Sequence, residues 1–151
     1  LVFRFSNVYG RYDNDIRRME RVLPLFIFKI ARDEPITVYG REKVFDFTYV
    51  DDCIEGIMRG IDSLAAGRVA NQTINLAYGQ GSTLVDAVNI IALALGKTPN
   101  VTYEPPRAGE VMRYVADITK ARQVLGYNPQ VPLSAGIPLE IKWFREHGDL
   151  G

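Results

Sequence analysis

Cysteine and histidine are the scarcest chemistry-bearing residues here, one of each in 151. A lone cysteine, Cys53, excludes an internal disulfide and fits a reducing, cytoplasmic setting. His147 stands in a polar tail, so neither a Ser-His-Asp nor a Cys-His site is expected on it. No His/Cys group has metal-site spacing, and no metal is expected. An excess of one charge is also missing: 18 basic and 18 acidic residues cancel. Nothing therefore pulls the chain globally toward nucleic acid or an anionic membrane. No apolar run approaches the roughly 18–20 residues of a membrane span. No leader is expected in Leu1–Phe5, which Arg4 interrupts. Gly79-Gln80-Gly81 lacks the third glycine of a dinucleotide loop and the lysine of a P-loop, so it reads as a strand-to-helix turn. Two Asn-x-Thr strings, at Asn71 and Asn100, read as chance.

What is present suits one domain with a real core. Strand-like and helix-like periodicities alternate, which argues for an α/β fold with parallel pairing. Leu1–Asn7 reads as a buried strand, ended by the Tyr9-Gly10 turn. The polar stretch 11–21 is expected to be a loop. Val22, Leu23, Phe26, Ile27 and Ile30 follow helical spacing, and Pro35 stops that helix. Ile36–Tyr39 is a short strand and Val44–Tyr49 is extended. Asp51 or Asp52 is expected to cap a helix whose buried face carries Ile54, Ile57, Met58 and Ile61. Thr73–Ala77 alternates as a strand. Thr83 with Asp86 forms a capping box for a helix that Gly96 ends. Val101–Glu104 is another strand. Asp117 or Thr119 starts a short helix that ends near Gly126. A last helix buries Ile137, Ile141 and Phe144.

Two groups of residues offer binding chemistry. Arg107-Ala108-Gly109-Glu110 follows two prolines on a stiff turn. There Arg107 suits bidentate contact with phosphate or carboxylate, and Glu110 suits ribose hydroxyls; a surface salt bridge is the alternative. Tyr39, Phe45, Phe47 and Tyr49 cluster around the central loops. Core packing is their expected use, with base stacking as the alternative. The Asp51-Asp52 pair reads as a helix start rather than as catalytic carboxylates.

Several strings then converge in order. They are Arg4-Phe5-Ser6-Asn7-Val8-Tyr9-Gly10, Pro35-Ile36-Thr37-Val38-Tyr39-Gly40, Asp46-Phe47-Thr48-Tyr49-Val50-Asp51-Asp52 and Arg107-Ala108-Gly109-Glu110. Ala116-Asp117, Leu125-Gly126-Tyr127-Asn128-Pro129, Gly136-Ile137 and Trp143-Phe144 follow. Nearly end to end, the chain resembles the C-terminal half of the extended short-chain dehydrogenase/reductases that act on nucleotide sugars. That family includes UDP-sugar 4-epimerases, sugar-nucleotide 4,6-dehydratases and UDP-glucuronate decarboxylase.

The resemblance implies the last parallel strands of a Rossmann-like NAD(P)-binding fold plus a small α/β substrate-binding subdomain, residues 1–151 forming one such region. It implies NAD as cofactor, with Ser6 near the nicotinamide, and a UDP- or dTDP-sugar as partner. Asn7, Arg21 and Val22 would touch the substrate. Thr37, Val38 and Tyr39 would line the base site, Arg107 would pair with the diphosphate and Glu110 with the ribose. Where the family commonly carries an arginine for the diphosphate, this chain has Phe45, with Arg41 and Lys43 nearby. The family's glycine-rich NAD loop and its Tyr-x-x-x-Lys acid–base pair are expected upstream of Leu1. No catalytic residue is therefore assigned, and the isolated chain is expected to be inactive. A strand that has lost its neighbours leaves an open edge, so self-association through Leu1–Asn7 is expected.

Overall fold

A computed structural model describes residues 1–14, 21–147 and 150. The elements run β1 (Val2–Phe5), β2 (Asn7–Tyr9), α1 (Val22–Ala31), β3 (Ile36–Tyr39), β4 (Val44–Phe45), β5 (Phe47–Tyr49), α2 (Val50–Ala65), β6 (Thr73–Leu76), β7 (Ser82–Thr83), α3 (Leu84–Leu95), β8 (Val101–Glu104), β9 (Arg113–Tyr114), α4 (Thr119–Leu125) and α5 (Leu133–Glu146). The α/β class expected from alternating periodicity is the one observed. Strands β1 and β6, β2 and β5, and β3 and β8 pair in parallel; β4 pairs antiparallel with β7 and parallel with β9. Part of the loop expected over 11–21, residues 15–20, lies outside the described residues. Among the described residues no helix is long and apolar enough to cross a membrane.

Two apolar clusters organise the chain. The larger joins α1, α3 and α5 to Ile36, Val38, Phe47, Tyr49 and Tyr9. The smaller joins Ile74, Leu76, Ile118, Leu125 and Tyr127, with Leu1, Phe3 and Ile57 packed against it. Helix α3 starts as its sequence dictates: the Asp86 amide donates to Thr83 Oγ1 at 3.0 Å, the Thr83 amide donates to Asp86 Oδ2 at 2.9 Å, and Gly96 closes the helix in the left-handed conformation. Gly126 ends α4 in the same way.

Three expectations need correction. The opening segment is two strands, broken at Ser6, and it is not buried: Val2 and Phe5 are about half exposed. Among the described residues strand β1 has a neighbour on one edge only, β6, so much of its surface faces solvent. On α2 the isoleucines and methionine do not form the buried face. Ile54, Met58 and Ile61 are exposed, Ile57 is half-buried, and Asp52, Cys53, Gly56, Gly60 and Ser63 are buried. Small residues let the helix lie close against its neighbours: a β-carbon at Gly56 would meet Leu76 at 2.8 Å, and one at Gly60 would clash with the Phe3 ring. Finally, neither Asp51 nor Asp52 caps α2; Tyr49 precedes it without a side-chain cap. Asp52 instead accepts the amides of Gln130 at 2.8 Å and Val131 at 2.9 Å, tying α2 to the loop before α5.

Candidate functional site

Strand alternation decides which side chains of β3 reach the surface. Ile36 and Val38 point into the core, so Thr37 and Tyr39 face the other way. The face they reach is a cleft of about 360 Å³, lined also by Asn7, Val22, Lys43, Phe45, Arg107 and Glu110. Six residues expected to touch substrate therefore meet in one cavity: Asn7, Val22, Thr37, Tyr39, Arg107 and Glu110. They come from β2, α1, β3 and the turn after β8, elements far apart in the chain.

The other three expected residues lie elsewhere. The Val38 side chain is fully buried, which leaves only its backbone to a ligand. Arg21 lines a smaller cleft of about 130 Å³ with Tyr9 and Asp13, adjoining the first at Asn7 and Val22. Its guanidinium bonds Asp13 Oδ1 at 3.1 Å and the Val8 carbonyl. Ser6 faces a third, shallower cleft with Phe5, Phe45 and Tyr114, and its hydroxyl donates to the Asp46 carbonyl. Asn7 Nδ2 donates to the same carbonyl at 3.1 Å.

The polar end of the main cleft holds two cations and one anion. The Arg107 guanidinium lies over the Tyr39 ring, 4.0 Å from its centroid. Glu110 folds back over its own turn. Its Oε2 accepts the Arg107 amide at 2.7 Å and the Lys43 ammonium at 2.5 Å. The Lys43 hydrogen bond, then that of the Arg107 amide, hold the Glu110 carboxyl below the usual range. Lys43 is buried although charged, and Gly40 makes this possible: with φ at +75°, it lets the Lys43 stem fold back over the turn. A β-carbon at Gly40 would lie 2.8 Å from Lys43 Cε. The balance at this end is one positive charge, which suits an anionic ligand.

The Tyr-x-x-x-Lys spacing, expected upstream of Leu1, also occurs within this chain. Tyr39-Gly40-Arg41-Glu42-Lys43 has that spacing. On a helix it would place both side chains on one face. Here it spans the end of β3 and a turn, with the tyrosine under Arg107 and the lysine paired with Glu110. Burial of Lys43 had one signal in the sequence, the adjacent Gly40, but its pairing with Glu110 crosses 67 residues. Of the aromatic cluster, Phe47 and Tyr49 are core, Tyr39 and Phe45 line the cleft, and Phe47 also forms part of its wall.

Behind the cleft, Asp46 is a buried hub. It accepts the amides of Tyr78 and Gly79 at 3.0 Å each and of Ala116 at 3.2 Å, while the Tyr78 amide also reaches Thr48 Oγ1 at 3.0 Å. These bonds fix β5 against the turn before α3 and the segment before α4.

The profile of the NAD dependent epimerase/dehydratase family matches residues 1–77. UDP-glucuronic acid decarboxylase 2 of Arabidopsis thaliana is 32% identical over 127 residues, covering 83% of this chain and 27% of that protein. The structure of UDP-glucose 4-epimerase from Thermotoga maritima with UDP-glucose superposes with a TM-score of 0.84 at 31% identity, covering 97% of this chain and 46% of the other. UDP-glucuronic acid 4-epimerase from Bacillus cereus, solved with UDP-glucuronic acid and NAD, gives a TM-score of 0.84 at 27% identity, covering 97% and 45%. The chain thus spans less than half the length of these proteins, and its fold is that of their Rossmann-type architecture.

Proposed function

Because the chain belongs to the NAD dependent epimerase/dehydratase family, we propose that it is the nucleotide-sugar-binding part of an NAD-dependent enzyme, a UDP-sugar 4-epimerase in the first place. The observation that carries this reading is the single cleft gathering Asn7, Val22, Thr37, Tyr39, Arg107 and Glu110, with its surplus positive charge. In it Arg107 and Lys43 take the diphosphate. Lys43 stands in for the arginine whose place Phe45 occupies. Glu110, released from Lys43, turns to the ribose hydroxyls. Thr37 and Tyr39 form the base wall, and Asn7 orients the sugar from the end of β2.

NAD, when bound, supplies hydride acceptance at the sugar ring. Its pyrophosphate wants a helix N-terminus approached closely by backbone. Helices α1 and α2 start after Arg21 and Tyr49 without a glycine-rich turn, and before α3 the glycines of Gly79-Gln80-Gly81 are packed against Ile118, Val44 and Val115. This chain therefore contributes a wall beside the nicotinamide, at Ser6, rather than the dinucleotide cradle. The proton-transfer pair is assigned to the part of the enzyme outside this chain. A second reading, the corresponding part of a UDP-glucuronate decarboxylase, is supported by the Arabidopsis relative.

Titration calorimetry with UDP-glucose tests the reading. The chain binds it weakly. Arg107→Ala raises Kd about ten- to a hundredfold, the loss of charge-assisted hydrogen bonds worth about 1.5–3 kcal/mol. Lys43→Met weakens binding in the same direction. Unchanged affinity in both variants overturns the assignment. Turnover of a UDP-sugar by the purified chain alone would overturn the division of labour.

A further inference from the structure

Helix α5 braces the segment that carries Asn7. Gly136, Glu140 and Trp143 recur at helical spacing on one side of it. The Tyr9 hydroxyl sits against Gly136 so closely that a β-carbon there would overlap it. The Trp143 ring meets Tyr12 at 5.1 Å and stacks on His147 at 4.1 Å. Between these contacts lies Glu140, fully buried, and among the described residues neither of its carboxyl oxygens has a hydrogen-bond partner. The Tyr9 hydroxyl and Asp13 Oδ2 are likewise buried without one. So many unsatisfied oxygens in one place call for an explanation.

Charged and titratable groups face this carboxyl from the turn after β2, the start of α1, β2 and β5. Asp13 in the turn after β2 opposes its ionisation, whereas Arg21 at the start of α1 and the Gly10 amide favour it, the amide without reaching hydrogen-bond geometry. Tyr9 on β2 and Tyr49 on β5 are themselves affected by it. Among the described residues Arg21 is the cation that acts on this carboxyl, and it is already engaged by Asp13 and the Val8 carbonyl. We propose that Glu140 is a positioning residue for Asn7 and Arg21: uncharged, it leaves the Arg21 guanidinium on Asp13 and Val8, and charged, it competes for that guanidinium and loosens the binding segment. Burial, and after it Asp13, push the Glu140 carboxyl well above the usual carboxylate range, and a buried carboxyl without partners favours its uncharged form.

The sign follows. The folded protein holds this proton more tightly than the unfolded chain. The neutral group therefore costs nothing below pH 4.5, the ordinary value, and stability falls as pH rises above it. Glu140→Gln keeps the shape and removes the charge. The effect on ligand rests on the nucleotide reading of the cleft; the effect on stability does not. The test follows the Glu140 carboxyl by carbon NMR in the labelled wild-type chain. It also measures thermal unfolding and UDP binding from pH 4.5 to 8.5 in wild type and Glu140→Gln. Glu140 is expected to titrate apart from and above the other glutamates. Wild type loses Tm relative to Glu140→Gln as pH rises. Over the same window the wild-type Kd for UDP rises at least about fivefold relative to the variant, in which the ligand's own titration is common. Glu140 titrating with the surface glutamates overturns the proposal, and this needs no variant to fold. Parallel stability curves also overturn it. If UDP fails to bind at any pH, the nucleotide reading falls, and the carboxyl titration and Tm curves still decide the role of Glu140.

Discussion

Asp46 shows how much one buried side chain can hold. Its carboxylate is fully buried and takes three backbone amides from two loops more than 30 residues away. Burial raises its pKa and the three amides oppose that rise. Each buried amide left without an acceptor costs about 1–3 kcal/mol. Asp46→Ala is therefore expected to destabilise the fold by about 3 kcal/mol or more in urea unfolding. Asp46→Asn, which retains one acceptor oxygen, costs less. An alanine variant as stable as wild type would rule out the hub. Asp46 stood in the string that carried the family resemblance, yet nothing local in the sequence distinguishes it from Asp51, which is exposed and pairs with Arg11 at 2.5 Å. The difference is set by which loops arrive, and those are distant in sequence.

At the scale of elements, the contact of α5 with β2 depends on one missing methyl group. Gly136 lies inside a helix, where glycine costs about 1 kcal/mol relative to alanine, so its presence needs a packing reason. The Tyr9 hydroxyl supplies it. Gly136→Ala is expected to destabilise by about 1–3 kcal/mol through overpacking despite its better helix propensity. Adding Tyr9→Phe is expected to recover part of that loss, because it removes an unpartnered buried hydroxyl. A double-mutant cycle measures the coupling, and strict additivity would show that the two residues do not meet. Helix α2 follows the same logic. Its apolar period pointed to Ile54, Met58 and Ile61 as the inner face, whereas Gly56 and Gly60 lie against Leu76, Tyr127, Phe3 and Leu1. Periodicity marks an apolar stripe; it does not say which surface covers it. In α3 and α5 the stripe and the buried face coincide, because those helices pack on one another and on the larger cluster.

The whole molecule carries an imbalance that its elements do not show singly. Strand β1 has an open edge, Val2 and Phe5 are exposed beside it, and α2 leaves Ile54, Met58, Ile61 and Leu64 in water. Open edges and contiguous apolar surface favour association. We expect the chain to self-associate with rising concentration. Light scattering should detect this, and Met58→Glu with Ile61→Lys should reduce it. A monomer at all concentrations would count against the idea.

Sequence alone was enough for the α/β class, the Thr83–Asp86 cap and the family strings, because each rests on neighbours within a few residues. Six residues that the resemblance carried by its short, ordered strings singled out also line one cleft. Tertiary structure alone decided that Thr37 and Tyr39 face the cleft while Val38 does not, that Lys43 is buried against Glu110, and that Glu140 lies unpaired beneath Gly10. Those facts depend on burial and on charges brought together across 60 to 130 residues, and such distances leave no mark on local pattern.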